Sequence, residues 1–266
     1  MTLAGLGRAA VVLTLVIAGI TAGGAPAAAA APGAASGASG GDVMAGHVNP
    51  DGSGWLVVYK PVSGISPERF YRQLKAAGVR DLIDPALRVS PADPQQCFHG
   101  TAFAMKDGIC PPKTWTYQGH PRPIVYFRDY TGVSWPVQAA VQTWNTSVAI
   151  DSHWIASEVQ CPSNTHCVPV MDGAHGKSGN WANACALTSV RWDSANHYVD
   201  GAIAVNFNDS YGTDVCGTHR STACHELGHA LGLSHNTSKT SCLYPNGPAA
   251  DTPNSDDFWV LANMSY

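Results

Sequence analysis

Between His225 and His235 the chain reads His-Glu-Leu-Gly-His-Ala-Leu-Gly-Leu-Ser-His, which sets three imidazoles, one carboxylate and two glycines in eleven residues. Imidazoles four apart on a helix share one face, a turn above each other. His225 and His229 can therefore bind one ion, at roughly 2.0–2.1 Å per nitrogen for zinc. Glu226 stands beside the first ligand, and its carboxylate can reach a water on the metal without ligating it. On a straight helix His235 would lie almost two turns beyond His229. Gly232 can take positive φ at little steric cost, so the chain can break there and bring His235 back as the third nitrogen. Three protein nitrogens leave a fourth position for water, the arrangement of a catalytic zinc site.

A helix must carry this motif. Ser221 or Thr222 can cap its start, and Ala223, Leu227, Ala230 and Leu231 form an apolar stripe at helical spacing. The helix is expected to end near Leu231, with Gly232 as a left-handed terminator.

The pattern resembles the metzincin signature, HExxHxxGxxH followed by a Met-turn. The resemblance implies that His225, His229 and His235 bind one catalytic Zn2+ and that Glu226 is the general base. Downstream, Ser241-Cys242-Leu243-Tyr244-Pro245 resembles the Met-turn of matrixins, with Leu243 in place of the methionine. Leu and Met have similar volume, so an apolar floor under the metal is retained. By the same resemblance Tyr244 and Pro245 line the pocket for the side chain after the cleaved bond. Asp256 to Leu261 is similar to the last matrixin helix. The implied fold class is α+β: a twisted mixed sheet, a long helix, an active-site helix, a Met-turn-like loop and a C-terminal helix. The implied function is a secreted zinc-dependent endopeptidase that cleaves peptide bonds by Glu-assisted attack of a zinc-bound water. Two alternatives stay open: a zinc-bearing binding module without hydrolysis, and an amidase acting on a non-protein cell-wall substrate.

Other ligand sets are weighed on residue count. A thermolysin-like site needs a glutamate after the motif, and the chain's only glutamates are Glu68, Glu158 and Glu226. Asp251, Asp256 or Asp257 could replace His235 as third ligand, although His235 has the expected spacing. His175, His197 and His219 could hold a second metal. Asp193, Asp200 and Asp209 could serve calcium, but no EF-hand spacing supports it.

The 266 residues carry a net charge of −4, and only 13 % are charged. There is no basic stripe, which argues against nucleic acid. Arg8 followed by the apolar run Ala9 to Ala22 and small-x-small choices up to Ala31 reads as a signal peptide over residues 1–31, too short for a comfortable membrane span. Residues 32–54, mostly Gly, Ala and Ser, read as a flexible linker. Residues 55–96 read as a small N-terminal unit, a candidate propeptide, ending at the proline-rich Ser90 to Pro94. Residues 97–266 are the expected protease domain. The expected localisation is extracellular, with the Ala/Gly-rich flanks suggesting a bacterial exoprotein. The expected partner is a protein or peptide substrate, with no stable membrane association, for a monomeric enzyme.

Eight cysteines with an export signal suit an oxidising compartment. Local spacing suggests Cys97–Cys110, Cys161–Cys167 and Cys224–Cys242, leaving Cys185–Cys216. The alternative, Cys224 as a ligand, is awkward, because it points about 100° from His225 around the helix. The even count argues against a thiolate that caps the metal. Strands are expected at 54–59, 122–127, 153–159, 167–171, 184–192 and 201–207. Helices are expected from Ser66 to Gly78 and over 135–144, the latter capped by Ser134. In metzincins an edge strand ahead of the active-site helix pairs antiparallel with the substrate, and 184–192 is the candidate for that edge.

Overall fold

The computed structural model describes residues 41–85, 98–104, 113–245 and 247–264. The signal-peptide expectation and the Cys97–Cys110 pair lie outside these residues. The strands are β1 (Val43–Val48), β2 (Gly54–Pro61), β3 (Leu82–Ile83), β4 (Phe98–His99), β5 (Ala102–Ala104), β6 (Ile124–Asp129), β7 (Asp151–Ala156), β8 (His166–Gly173), β9 (Ala184–Trp192), β10 (Ala204–Asn208) and β11 (Leu233–Asn236). The helices are α1 (Pro67–Ala76), α2 (Val137–Trp144), α3 (Thr213–Cys216), α4 (His219–Ala230) and α5 (Ser255–Asn263).

One mixed sheet runs β3-β1-β2-β9-β10-β8-β6-β7, and a smaller one runs β11-β5-β4. β10, β8, β6 and β7 pair in parallel, whereas β9 is antiparallel to β10. α2 connects the parallel neighbours β6 and β7, the ordinary βαβ solution. It lays Val137, Ala140, Val141 and Trp144 into the core, the face that helical spacing predicts. The expected Ser134 cap does not form: α2 begins at Val137 without a side-chain cap. Trp135 is drawn out of the helix instead. It stacks on Phe207 at 4.0 Å and on His219 at 4.1 Å, and its Nε1–H donates to Asp209 at 2.8 Å.

Of the expected flexible linker 32–54, only residues 41–54 are described, and there the reading is corrected: β1 pairs along its whole length with β2, from Val43↔Tyr59 to Val48↔Gly54. The two strands alternate as a sheet buried on both faces must. Met44, Leu56 and Val58 enter the main core, whereas Val43, Ala45 and Tyr59 meet Phe70 and Leu74 of α1 in a second, smaller core. α1 begins as expected, with Ser66 accepting from the Arg69 amide and Pro67 in the first turn. The N-terminal unit therefore starts before residue 55.

The candidate substrate edge is also corrected. β9 occupies 184–192, but β2 covers it in antiparallel register from Gly54↔Trp192 to Pro61↔Ala184. β9 is an interior strand.

Among the described residues three disulfides join Cys161–Cys167 and Cys224–Cys242, the pairs that local spacing suggests, and Cys185–Cys216, the pair left over. Among the described residues, no helix is long and apolar enough to cross a membrane.

Candidate metal centre

α4 starts one turn earlier than expected. Thr218 is its cap, with its hydroxyl oxygen accepting from the Ser221 amide at 2.9 Å. Ser221 and Thr222 lie inside the helix, where the Thr222 hydroxyl donates to the Cys216 carbonyl. The apolar stripe describes only one side, because α4 is buried all round from Ser221 to Ala230. The Trp144 indole donates to the Cys224 carbonyl at 3.0 Å, and that of Trp115 to the Ala230 carbonyl at 3.1 Å. At Gly228 a β-carbon would meet both Leu243 and Trp144 at 2.8 Å, so these two residues press directly on the helix between its two histidines. Leu243, buried at the Met-turn position, thus forms part of the apolar floor.

After Leu231 the chain turns at Gly232, whose φ is 102°. A side chain there would be strained. It would also collide with Met264, since a β-carbon would stand 2.7 Å from its Cε. β11 then carries His235 back toward α4.

The result is a cluster of His225, His229, His235 and Asp42, the only such group of metal-competent side chains among the described residues. His225 Nδ1 faces the Cys242 carbonyl and His229 Nδ1 the Leu233 carbonyl, each at 2.9 Å. A carbonyl only accepts, so each Nδ1 carries the proton and turns the Nε2 lone pair inward. The two Nε2 atoms are 3.0 Å apart. Asp42 Oδ2 lies 3.0 Å from His225 Nε2, 2.8 Å from His235 Nε2 and 3.6 Å from His229 Nε2. Acceptors gathered this closely need a cation among them. Three imidazoles with one carboxylate oxygen are a donor set that zinc takes, and the residues fit that ion.

The charges agree. Burial pushes His225 below the usual imidazole range, helped by the Lys60 charge. Burial also acts to lower His229, but its hydrogen bond to Asp42 and the Glu226 charge raise it instead. Burial opposes the ionisation of Asp42, yet the positive charge on His235 and His225 holds its carboxyl well below the usual carboxylate range.

Glu226 is fully buried beside the cluster, and burial pushes its carboxyl up to about 7. Thr188 of β9 donates its hydroxyl hydrogen to Glu226 Oε2 at 2.5 Å. Glu226 Oε1 has no hydrogen-bond partner. One oxygen of this carboxylate is anchored and the other is available to a ligand.

The other candidates are placed elsewhere. Asp251 accepts from the Thr218 hydroxyl, Asp256 from Thr101, and Asp257 from Asn236, Ser241 and the Asn254 amide. None of them replaces His235. His175 stacks on Trp181 at 4.1 Å, and His219 stacks on Trp135 with its Nδ1 on the Ser134 carbonyl. Asp193 accepts the amides of Ala195 and His197, Asp200 meets His166, and Asp209 holds Trp135. The second-metal and calcium groupings therefore do not assemble. Pro245 is buried and lines a cavity of about 210 Å³, together with Lys60 and the loop that follows it. Tyr244 is half-buried, with the Lys239 ammonium 5.9 Å from its ring centre.

Two residues of the centre escaped sequence reasoning. Thr188 carries no motif, only a place in an expected strand. Asp42 lies in a Gly-rich run 183 residues from His225, where nothing local marks it.

A mixed sheet in which antiparallel β9 flanks four parallel strands, backed by a helix that carries two of three converging imidazoles, is consistent with a metzincin-type α+β fold. Residues 138–259 match the matrixin family model. A search of curated proteins finds no match. Matrixins are metalloendopeptidases, typically with zinc.

Proposed function

We propose that the chain is a secreted zinc endopeptidase in which His225, His229 and His235 hold the ion and Glu226 is the general base. The observation that carries this reading is the convergence of three Nε2 atoms beside a buried carboxylate with one unpartnered oxygen. When bound, zinc would polarise the scissile carbonyl and acidify water. Glu226 Oε1 takes the proton of the attacking water as its oxygen bonds to the carbonyl carbon. The same carboxyl returns the proton to the departing amide nitrogen as the C–N bond breaks. The products are a carboxylate and an amine. Tyr244 and Pro245 are assigned to the pocket for the side chain following the cleaved bond. The three observed disulfides suit an oxidising compartment, as export would provide.

The test is casein digestion by the protein recovered from culture medium, with its zinc content measured alongside. One zinc per chain is expected, with digestion abolished by a chelator and restored by added zinc. His235→Ala should lose both metal and digestion. A variant that keeps both would refute the ligand assignment.

Thr188 fixes the rotation of the Glu226 carboxylate and is a positioning residue. Thr188→Val should lower kcat roughly tenfold, the value of about one hydrogen bond to a charged group. KM should stay within about twofold, because substrate contacts are untouched. An equal loss through KM would contradict this role.

A further inference from the structure

We propose that the cavity beside Pro245 is a binding site for a monocarboxylate with a short aliphatic group, and that Lys60 is its counter-ion. The site goes beyond the peptidase reading, because it needs neither zinc nor Glu226.

Lys60 is the anomaly that points to it. Successive side chains of β2 face opposite sides of the sheet. Leu56 and Val58 enter the main core, and Lys60 continues their face. An apolar residue is expected at such a place. Lys60 is only 7 % exposed, and its charge is felt by His225 and Glu226 of α4. No hydrogen bond or ion pair joins its ammonium to another described residue. The nearest acids are turned to other groups: Asp42 faces the imidazoles, and Glu226 accepts from Thr188. A buried ammonium is costly unless an anion stands against it.

The cavity supplies the room. It holds about 210 Å³, and Lys60 is the one charged residue in its lining. Lys60, Pro61 and Pro245 are buried in the wall, whereas Ser63 and Gly64 are exposed, so a ligand enters past the latter pair. The wall is held before any ligand arrives. The Ser63 amide donates to the Val215 carbonyl at 2.6 Å and the Val62 amide to the Asn183 carbonyl at 2.9 Å. The Cys185–Cys216 bridge ties Cys216, also in the lining, to β9. A pocket formed in advance spares the ordering cost of binding.

The charge count selects the ligand. One ammonium balances one negative charge, and it is a point charge without the guanidinium fork that grips phosphate through two bonds. A phosphate dianion would bring excess charge to a lining with no second cation. A monocarboxylate leaves the site neutral, and Pro61, Val62, Ile65 and Pro245 offer apolar surface to an aliphatic group beside it. Two sources carry this chemistry: a free branched-chain acid, and the C-terminal carboxylate of a peptide ending in an aliphatic residue.

The experiment titrates the full chain, freed of metal beforehand, with isovalerate, N-acetyl-leucine and isovaleramide, following the methyl signals of Val62 and Ile65 by NMR. Isovalerate should move both signals to saturation with a dissociation constant on the order of 1 mM, the strength of one charged hydrogen bond and a few buried methyl groups. Isovaleramide has the same shape without the charge and should bind at least about tenfold more weakly. Lys60→Met keeps the length of the side chain and should weaken isovalerate roughly tenfold or more. Binding of N-acetyl-leucine as tight as that of isovalerate assigns the site to peptide ends, and its failure assigns the site to free acids. Methyl signals that isovalerate leaves unmoved, or equal binding by wild type and Lys60→Met, would overturn the proposal. So would an amide that binds as tightly as the acid, a comparison made on wild type and independent of whether the variant folds. With no metal present, failure of the peptidase assignment would leave these results unchanged.

Discussion

Glu226→Gln should leave one zinc per chain and reduce casein hydrolysis by about 10²–10⁴-fold in the protein recovered from culture medium. Glutamine keeps the size and the oxygen that accepts from Thr188. It cannot accept a proton from water at neutral pH, so the loss isolates proton transfer from packing. The ligand nitrogens belong to other residues, and the Nδ1 contacts of His225 and His229 do not involve Glu226. Metal content should therefore hold. The measurement is kcat on a fluorogenic peptide with zinc determined on the same sample. A zinc-loaded variant within tenfold of wild type would remove Glu226 from the reaction. A variant that loses its zinc would show that the carboxylate has a structural part in the centre.

Trp144→Ala should lower the stability of the folded chain by about 3–5 kcal/mol, the usual cost of emptying a buried aromatic site. Trp144 is fully buried, its indole donates to the Cys224 carbonyl, and its ring faces the edge of Phe258 at 5.8 Å. It also abuts α4 at Gly228, between the two helical histidines. Loss of this prop should weaken zinc binding as well, although the indole hydrogen-bonds a backbone carbonyl and not a ligand side chain. Trp144→Phe should cost less, because most of the volume remains and about one hydrogen bond is lost. Urea unfolding with the disulfides intact, monitored by circular dichroism, gives both values. A loss below 1 kcal/mol for the alanine variant would show that α4 does not depend on this contact.

The centre was legible where the information is local. Histidines four apart need only a helix to share a face, and Gly232 at its spacing foretells a turn that the structure makes at a φ of 102°. The pairs Cys161–Cys167 and Cys224–Cys242 are also near neighbours in sequence. What failed depends on partners. β1 was hidden in a Gly/Ala/Ser-rich run, and only its register with β2 makes Val43 to Val48 a strand. The residues of β9 look the same whether the strand is an edge or an interior member, because both versions bury apolar side chains. Asp42 could not be found at all, since a lone aspartate after glycines carries no spacing to read. The Ser134 cap lost to the burial of Trp135, a tertiary contact that overrode a good local signal.

The Cys224–Cys242 bridge joins the helix that carries His225 to the residue whose carbonyl accepts the His225 Nδ1–H. In surroundings rich in thiols this link would be open, and the carbonyl would lose its fixed distance from the imidazole. The ring would then no longer be held in the tautomer that points its lone pair at the ion. Opening this bridge is therefore expected to weaken zinc binding, which a metal titration of the reduced chain would measure.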